Sequence, residues 1–237
     1  MVSERYVPPE ARQQFIPKEL SSAEDIAQLL LTFRRNNGIS GQDTDRAKRQ
    51  VMQQAQREIE GDDRTAHFFG IKDGENMVAT GKLNVRPPVG DKKVGYLSFL
   101  AVDEQYRGKG FAKQLTDIRT ERARQEGCTH IQTDIFTENP IALVTKLNDG
   151  YTLTNLEFYG DEKKAGKFVL LKKIHGEREH DKKDGIPADL QEVGLSDLTE
   201  IYKLLKDGEW VGIDVKNTAS ADDTNPENWR LILEKSF

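Results

Sequence analysis

The sequence predicts an α/β fold in which helices flank one mixed, mostly antiparallel sheet. Three observations indicate this class. Helical and strand-like patterns follow each other along the 237 residues in the order helix–helix–β–β–β–helix–β–helix–β–β. Asp73-Gly74, a dipeptide favoured in tight hairpin turns, separates two strand-like runs. A wholly apolar strand end at residues 99–102 leads through a polar turn into a helix.

Two helices are predicted near the N-terminus, after a short strand near residues 14–16. Ser21-Ser22-Ala23-Glu24 is a capping-box pattern, in which a hydroxyl and an acid three residues later satisfy free amides in both directions. Apolar residues follow at helical spacing from Ile26 to Phe33, and Asn36-Asn37-Gly38 ends this helix. A second, more polar helix is predicted at residues 44–60.

The remaining elements are predicted from alternation, apolar runs and glycine stops. Strands are predicted at residues 66–72, 75–85 and 94–102, a helix at 108–126, a strand at 128–136, a short helix from Pro140 to Gly150, and strands at 151–159 and 167–174. Beyond these, the pattern of the last fifty or so residues shows one amphipathic helix, at residues 195–206.

These elements divide the chain into four segments. Residues 1–14 form an N-terminal arm, and residues 15–175 form the principal domain. Residues 176–185 carry almost no apolar side chain, so we expect a polar linker or a long hairpin there. Residues 186–237 form a C-terminal extension.

Composition and charge exclude several classes of protein. Hydrophobic residues make up 36 % and charged residues 32 %, which is typical of a soluble globular protein. No apolar run approaches the roughly 18 residues of a membrane span, and the first residues lack the apolar region of a secretory signal. The net charge of −5 argues against nucleic-acid binding and suits a cationic partner such as an amine, although solubility alone would also explain it.

Cysteine and histidine usage bears on location and on metals. Cys128 is the single cysteine, which fits a reducing, cytoplasmic location. His67 and His130 each stand alone on a predicted strand, so we expect both to be structural. No cluster of histidine, cysteine and acidic residues has the spacing of metal ligands, and no metal is therefore predicted.

The most informative segment connects an apolar strand to a helix at residues 100–112. Gly108 and Gly110 lie in this connection, beside the cations of Arg107 and Lys109. Glycine has no β-carbon, so a diphosphate can approach the main chain closely. The first N–H groups of a helix lack internal partners and carry partial positive charge, which makes them an anion site. The segment is predicted to bind phosphate.

The spacing of these glycines excludes two widespread phosphate-binding motifs. A Walker loop is excluded because the Gly-x-x-x-x-Gly-Lys-Ser/Thr pattern is absent. A Rossmann fingerprint is excluded because its third glycine would fall on Lys113. A tight strand-to-helix connection with no ligand stays open.

The segment resembles the central motif of the GNAT acyltransferase superfamily, Arg/Gln-x-x-Gly-x-Gly/Ala. It fits in two registers, Gln105…Gly108…Gly110 and Arg107…Gly110…Ala112. A second family element, strand-Asn-x-x-Ala…Gly-aromatic, is similar to Ile135, Asn139, Ala142, Gly150 and Tyr151. The resemblance covers about two-thirds of the chain, and two motifs in the right order are more specific than either alone.

The resemblance implies an acyl-CoA N-acyltransferase (GNAT) fold at residues 15–175 and acetyl-CoA as acyl donor. The pantetheine arm would lie between two splayed strands, along the main chain of Leu100 and Val102, as an added strand would. Asn139 would contact the cofactor and also cap a helix. The diphosphate would bind the amides of Arg107, Gly108, Lys109, Gly110, Phe111 and Ala112.

The implied reaction is transfer of an acetyl group to a primary amine by direct attack in a ternary complex. An alkylamine is protonated at neutral pH, and freeing its lone pair costs about 4–5 kcal/mol. A base, or a water chain leading to one, should remove that proton. A backbone N–H near residues 100–102 could stabilise the oxyanion, and the leaving thiolate then needs a proton.

The chain departs from the common family pattern at the position of the acid. Many members carry a tyrosine seven residues after the motif asparagine, where this chain has Lys146. Lys146 is therefore the candidate catalytic residue, with a solvated helix residue as its alternative. Tyr96, Tyr106 and Tyr151 are other hydroxyls that could reach the site, and no carboxylate stands out as the base.

Two other functions stay open beside the acetyltransferase. A catalytically weak acyl-CoA-binding regulatory protein would keep the fold without the tyrosine. A protein-interaction module would use the apolar helix of the extension, with Trp210 and Trp229 exposed, to dock on a partner or to pair two copies as a homodimer. For the acetyltransferase, a small-molecule amine and a protein amine are both open as acceptors.

Overall fold

The computed structural model describes residues 15–38, 45–60, 65–159, 165–174, 189–219 and 225–235. The chain divides into two compact units, Met1–Cys128 and Thr129–Phe237. The predicted N-terminal arm and the predicted linker lie outside the described residues, so both stay predictions, as do the segment boundaries.

The first unit follows the predicted order of elements. Its strands and helices are β1 (Lys18–Leu20), α1 (Ala23–Asn36), α2 (Asp45–Glu60), β2 (Ala66–Asp73), β3 (Asn76–Val85), β4 (Val94–Val102) and α3 (Phe111–Gln125). Within this unit the strands are arranged β1-β2-β3-β4, and every neighbouring pair is antiparallel. The prediction of a mostly antiparallel sheet is confirmed here.

The first strand and the first helix both begin later than predicted. The strand was expected near residues 14–16, but β1 begins after Pro17, whose lack of an N–H excludes it from a ladder of strand hydrogen bonds. Ser22, rather than Ser21, caps α1, because its hydroxyl accepts a hydrogen bond from the Asp25 N–H. The capping pattern is thus present one residue further along.

Two helices of the first unit hold the sheet between them and supply its core. Helix α1 buries an apolar face that includes Ile26, Leu29 and Leu30 against β3 and β4. Helix α3 packs on the same two strands through Phe111, Leu115 and Ala123. Burying one such side chain stabilises the fold by about 1.5–3 kcal/mol. These contacts fix β4, the strand that leads into the predicted phosphate turn.

The second unit contains more strands than the sequence patterns indicated. Its elements are β5 (His130–Phe136), α4 (Pro140–Asn148), β6 (Thr152–Phe158), β7 (Gly166–Lys173), β8 (Leu190–Gly194), α5 (Leu198–Lys206), β9 (Trp210–Asn217) and β10 (Trp229–Lys235). The strand order is β5-β7-β6-β9-β10-β8, with antiparallel pairing. The predicted elements up to β7 are confirmed, whereas the three strands of the extension were missed.

The extension buries the surfaces that the interaction hypothesis required to be exposed. Trp229 is 4 % exposed, and Trp210 is half-buried, so the expectation of two exposed tryptophans is wrong. The apolar face of α5, which includes Ile201 and Leu205, is buried within the same unit. The reason is that α5 packs on β6 and β9 of the same unit, a role that the isolated helix pattern could not reveal.

None of the described helices has the length and apolar character needed to cross a membrane. Within the same part of the chain, no group of three or more histidine, cysteine, aspartate or glutamate residues is placed to hold a metal ion.

Candidate functional site

Strand β4 carries an irregularity just before its end. Thr80 of β3 pairs with Ala101, but the next paired position on β3, Lys82, is opposite Ser98. Two residues of β4, Phe99 and Leu100, are therefore opposite the single residue Gly81, which is a β-bulge. A bulge bends the strand and redirects its peptide groups, so the main chain of residues 99–102 is not that of a regular strand.

The bulge places a large residue in a strained backbone conformation. Phe99 has a φ of +55°, in the left-handed region that residues with a β-carbon rarely adopt. Its ring packs against Phe33 of α1 with 4.6 Å between centroids, and its carbonyl accepts a hydrogen bond from Thr80 Oγ1 at 2.9 Å. The ring contact and this hydrogen bond offset the strain and hold the conformation.

The two residues assigned to the pantetheine arm lie on this distorted part of β4. Leu100 is part of the bulge, and Val102 is the last residue of the strand, paired with Ala79. Both side chains are half-buried. The Val102 carbonyl accepts a hydrogen bond from Arg107 Nε at 3.3 Å, which joins the end of the strand to the predicted phosphate turn.

Two acidic side chains fasten the loop that follows β4. Asp103 accepts hydrogen bonds from Arg35 Nη2 at 2.9 and 3.0 Å and from Asn36 Nδ2 at 2.6 Å, both at the end of α1. Tyr106 donates its hydroxyl hydrogen to Asp73 Oδ2 at 2.5 Å. This hydrogen bond is the main cause that raises the pKa of Tyr106, followed by burial and by the negative charges of Asp73 and Asp103.

The glycines of the turn are exposed and left-handed. Gly108 and Gly110 have φ values of +76° and +80°, and a β-carbon at either position would meet open space. The helix was predicted to start at residue 108, but it starts at Phe111, because left-handed residues cannot belong to a right-handed helix. Gly110 is the N-cap and supplies no side-chain cap. The first amides of α3 are not covered by a capping side chain.

Aromatic packing orients the start of this helix. Phe111 is buried against the rings of Phe15 and Tyr106, with centroids 5.3 and 6.2 Å away. Lys109 and Arg107 are exposed, and Lys109 Nζ lies 4.6 Å above the Tyr106 ring. Main-chain donors, two cations and two exposed glycines without β-carbons thus occur together. This set of groups fits a diphosphate.

A cavity of about 930 Å³ adjoins this loop within the first unit. It lies between the end of α1, the start of β3 and the 3₁₀ turn at Glu104–Tyr106. Charges of both signs line it, including Arg35, Arg107 and Glu75. The cavity therefore offers charged groups together with apolar wall residues such as Leu31 and Val78.

The other two predicted site residues lie in the second unit. Asn139 is exposed and caps α4, because its Oδ1 accepts a hydrogen bond from the Ala142 N–H at 3.0 Å. The Lys146 ammonium lies 3.7 Å from Asp149 Oδ2 and 5.2 Å from the centroid of the Tyr151 ring. The Tyr151 side chain is buried. The cap role of Asn139 is confirmed, and the cofactor and catalytic roles stay predictions.

His67 and His130 have polar partners within their own units. His67 is buried, and its Nδ1 lies 2.8 Å from Glu19 Oε1, while Nε2 lies 3.6 Å from Glu126 Oε1. His130 is buried as well, with Nδ1 2.8 Å from Thr129 Oγ1. Both arrangements fit the structural role that was expected of them.

A partly buried ion pair beside the bulge was missed by sequence reasoning. Lys82 Nζ lies 3.1 Å from Glu58 of α2 and 5.7 Å from the centroid of the Phe99 ring. The Lys82 side chain is 9 % exposed and that of Glu58 27 %. The one available signal was a lysine in the middle of an apolar strand, which needs a partner when it is buried.

Comparison with known proteins gives a consistent result. A family model described as "Acetyltransferase (GNAT) family" matches residues 26–144. N-acetyltransferase 8B of Rattus norvegicus is 34% identical over 97 residues, which is 40% of this chain and 44% of that protein. N-alpha-acetyltransferase 30 of Saccharomyces cerevisiae is 34% identical over 80 residues, which is 32% of this chain and 44% of that protein. The matches thus span less than half the length of these two relatives.

Solved structures resemble the chain in fold. A crystal structure described as an acetyltransferase of the GNAT family from Desulfovibrio desulfuricans superposes with a TM-score of 0.51 at 13% sequence identity. The match covers 68% of this chain and 99% of that one. At this identity the likeness concerns the fold alone.

Proposed function

The chain belongs to the GNAT acetyltransferase family, and from that premise we propose that it transfers an acetyl group from acetyl-CoA to a primary amine. The observation that carries the proposal is the open loop at Gly108 and Gly110, which precedes a helix without a side-chain cap and follows the bulged end of β4. Fold alone would not support an activity. The chemical suitability of this loop for a diphosphate adds the second argument.

The donor is held through its phosphates and its pantetheine arm. The amides of Arg107, Gly108, Lys109, Gly110, Phe111 and Ala112 are the diphosphate ligands in this proposal, and the two cations add charge attraction. The main chain of Leu100 and Val102 pairs with the pantetheine amides. Asn139 is a further cofactor contact that the family resemblance assigns.

The chemical step follows from the properties of the two substrates. A deprotonated amine attacks the thioester carbonyl, a C–N bond forms and the C–S bond breaks, and the thiolate leaves. Main-chain N–H groups at the bulge stabilise the oxyanion, which requires donors that are already in place. Lys146, as an ammonium, returns a proton to the thiolate. A base or a water chain takes one proton from the alkylammonium before the attack. The nitrogen loses a second proton once the C–N bond has formed, which balances the proton that Lys146 gives to the thiolate.

The acetyl acceptor is proposed only as a chemical class, a primary amine. The names of the relatives concern N-acetylation, and one of them is an N-alpha-acetyltransferase. Small-molecule amines and protein amines therefore both remain acceptors in this proposal. The net charge of −5 suits a cationic acceptor. We also propose a cytoplasmic location and a homodimer, which are expectations from the sequence.

The experiment that tests the function separates binding from turnover. Acetyl-CoA is titrated calorimetrically into the full chain, and release of CoA thiol is then followed with a panel of alkylamines, amino acids and peptides with free N-termini. Acetylated products are identified by mass spectrometry. We expect acetyl-CoA binding and thiol release with at least one amine. Binding without turnover across the panel would favour the regulatory alternative, and absence of binding would refute the proposal.

A further inference from the structure

A buried arginine lies behind the bulge of β4. Arg119, on α3, is 2 % exposed and is the largest fully buried side chain among the residues that the structure describes. A guanidinium keeps its charge inside a protein, and a buried charge is costly unless it is well hydrogen-bonded. The contacts of Arg119 therefore indicate what the protein gains from it.

The guanidinium connects α3 to both strands at the bulge. Its Nη1 donates to the carbonyl oxygen of Ser98 at 3.0 Å and to that of Lys82 at 3.3 Å. Ser98 and Lys82 are the paired residues directly before the bulge. Its Nε donates to the carbonyl of Leu115 in the same helix at 2.8 Å. One side chain thus holds the position at which the regular ladder ends.

The residue opposite the bulge leaves room for this side chain. A β-carbon at Gly81 would lie 2.9 Å from Arg119 Nε and 3.0 Å from its Cζ. Gly81 is not among the glycines with a positive φ, so space rather than backbone conformation requires a glycine here. The bulge, the glycine and the arginine fit together as one local arrangement.

Two consecutive carbonyl groups of β4 are held by side chains. Arg119 binds the carbonyl of Ser98, and Thr80 Oγ1 binds that of Phe99 at 2.9 Å. In a trans peptide the N–H points roughly opposite to the carbonyl of the preceding residue. The N–H groups of Phe99 and Leu100 are therefore directed away from these two side chains, and their directions are fixed before any ligand binds.

We propose that Arg119 is a positioning residue for acetyl transfer, because it holds the bulged segment so that its N–H groups meet the thioester oxygen. The inference rests on the proposed function. Arg119 acts through the main chain of residues 98–100 and does not touch the substrate. Donors that are pre-oriented need no reorganisation as negative charge develops on the oxygen, which is the main source of their effect.

The test measures how strongly the bound thioester carbonyl is polarised. Acetyl-CoA carrying ¹³C at the carbonyl is added to the full chain, and its carbonyl stretch is recorded by isotope-edited infrared spectroscopy. Hydrogen bonds to the oxygen lower this frequency. We expect a lowered frequency in the wild-type chain and loss of most of that shift in Arg119→Met. We expect Arg119→Lys to restore part of the shift.

Affinity measurements separate positioning from general support of the fold. Because the diphosphate contacts lie in the loop, we expect the Kd of CoA for Arg119→Met to stay within about threefold of wild type. The matched control is Arg122→Met, which removes an arginine from the same helix whose ion pair, at 3.0 Å, is with Glu126. This control should keep both the wild-type band and the wild-type affinity.

Each outcome decides one question. A folded Arg119→Met chain that keeps the wild-type band overturns the positioning role, and so does a rise in the Kd of CoA well beyond about threefold. If Arg119→Met does not fold, Gly81→Ala decides instead, because it keeps the guanidinium and displaces it; a wild-type band there overturns the role. A wild-type chain that binds no acetyl-CoA overturns the proposed function itself and the positioning role with it.

Discussion

The hydroxyl of Tyr106 donates a hydrogen bond to Asp73 Oδ2 at 2.5 Å, which ties the loop after β4 to the turn between β2 and β3. A second connection, from Arg35 to Asp103, ties the start of the same loop to the end of α1. A loop held at both places loses little further entropy when a ligand binds. The first predictions concern this loop.

Removing the Tyr106 hydroxyl should weaken donor binding without removing it. In Tyr106→Phe we expect the Kd for acetyl-CoA to rise about three- to tenfold, because the loop must be ordered on binding. Tyr202→Phe, a change in the second unit, is the control and should leave the Kd unchanged. An unchanged Kd in Tyr106→Phe, measured by calorimetry, would refute the proposed ordering of the loop.

The pH dependence of this connection follows from the raised pKa of Tyr106. The folded state favours the protonated hydroxyl, so the contribution to stability is complete below the ordinary pKa of 10.0 and declines as pH rises through the higher folded value. Between about pH 7 and 9, we expect no change in affinity that depends on this hydroxyl, so wild type and Tyr106→Phe should show parallel profiles.

Gly110 should be required for binding and Gly90 should not. Both residues have a positive φ, of +80° and +61°, and a β-carbon at either would meet open space. Leucine at either position should therefore cost a similar amount of stability, about 1–2 kcal/mol for the left-handed conformation. Only Gly110→Leu should also abolish acetyl-CoA binding, by obstructing the diphosphate. Equal affinities in the two variants would contradict the amide site.

Lys146 can be compared with a lysine in the same surroundings. The Lys172 ammonium also lies over the Tyr151 ring, at 5.6 Å, and donates to the carbonyl of Asp149 at 2.6 Å. We expect Lys146→Met to lower kcat about tenfold or more, with little change in the KM for acetyl-CoA, because a proton donor is lost. Lys172→Met should leave kcat near wild type. Equal effects would assign both lysines to packing around Tyr151.

The ion pair between Glu58 and Lys82 should respond asymmetrically to substitution. Glu58→Gln leaves the Lys82 ammonium, whose side chain is 9 % exposed, without its counter-charge, and we expect a loss of about 1–3 kcal/mol in the free energy of unfolding. The double variant Glu58→Leu with Lys82→Met should regain most of this loss. Denaturant titration of both proteins gives the comparison. A double variant less stable than Glu58→Gln would contradict it.

Cys128 should react slowly with alkylating agents. Burial raises the pKa of its thiol above the usual 9.0, the charge of Lys93 opposes this shift and that of Glu126 adds to it. The thiolate is the reactive form, so iodoacetamide at pH 7.5 should label native Cys128 at least tenfold more slowly than the unfolded chain. Because the folded state favours the neutral thiol, its contribution to stability is lost as pH rises above about 9. Mass spectrometry against time measures the rates.

Much of the first unit could be predicted because its signals are local. The helical spacing from Ile26 onward, the Asp73-Gly74 turn and the apolar end of β4 each depend on neighbours along the chain. The start of α3 was misplaced because a glycine in sequence does not reveal its φ. Strands β8, β9 and β10 were missed although β9 and β10 follow each other and pair together; their apolar residues at 211–215 and 231–233 were a local signal that was overlooked.

The parts of the site that sequence could not reveal depend on register and burial. Nothing local distinguishes the bulge at Phe99 and Leu100 from regular strand, because it arises from pairing with β3. Lysine and arginine are residue types usually found on the surface, yet Lys82 and Arg119 are both buried by contacts from other elements. The residue types of the phosphate turn predict its chemistry, whereas the geometry of the adjoining strand could not be predicted from the sequence.

The contact between Gly81 and Arg119 has a consequence for how this sequence can diverge. A larger side chain at position 81 cannot coexist with the arginine in its present position, since even a β-carbon would lie within 3.0 Å of the guanidinium. Substitutions at two positions 38 residues apart are therefore coupled, and their effects on stability should not add. Descendants of this chain, natural or designed, should exchange the two residues together or retain both.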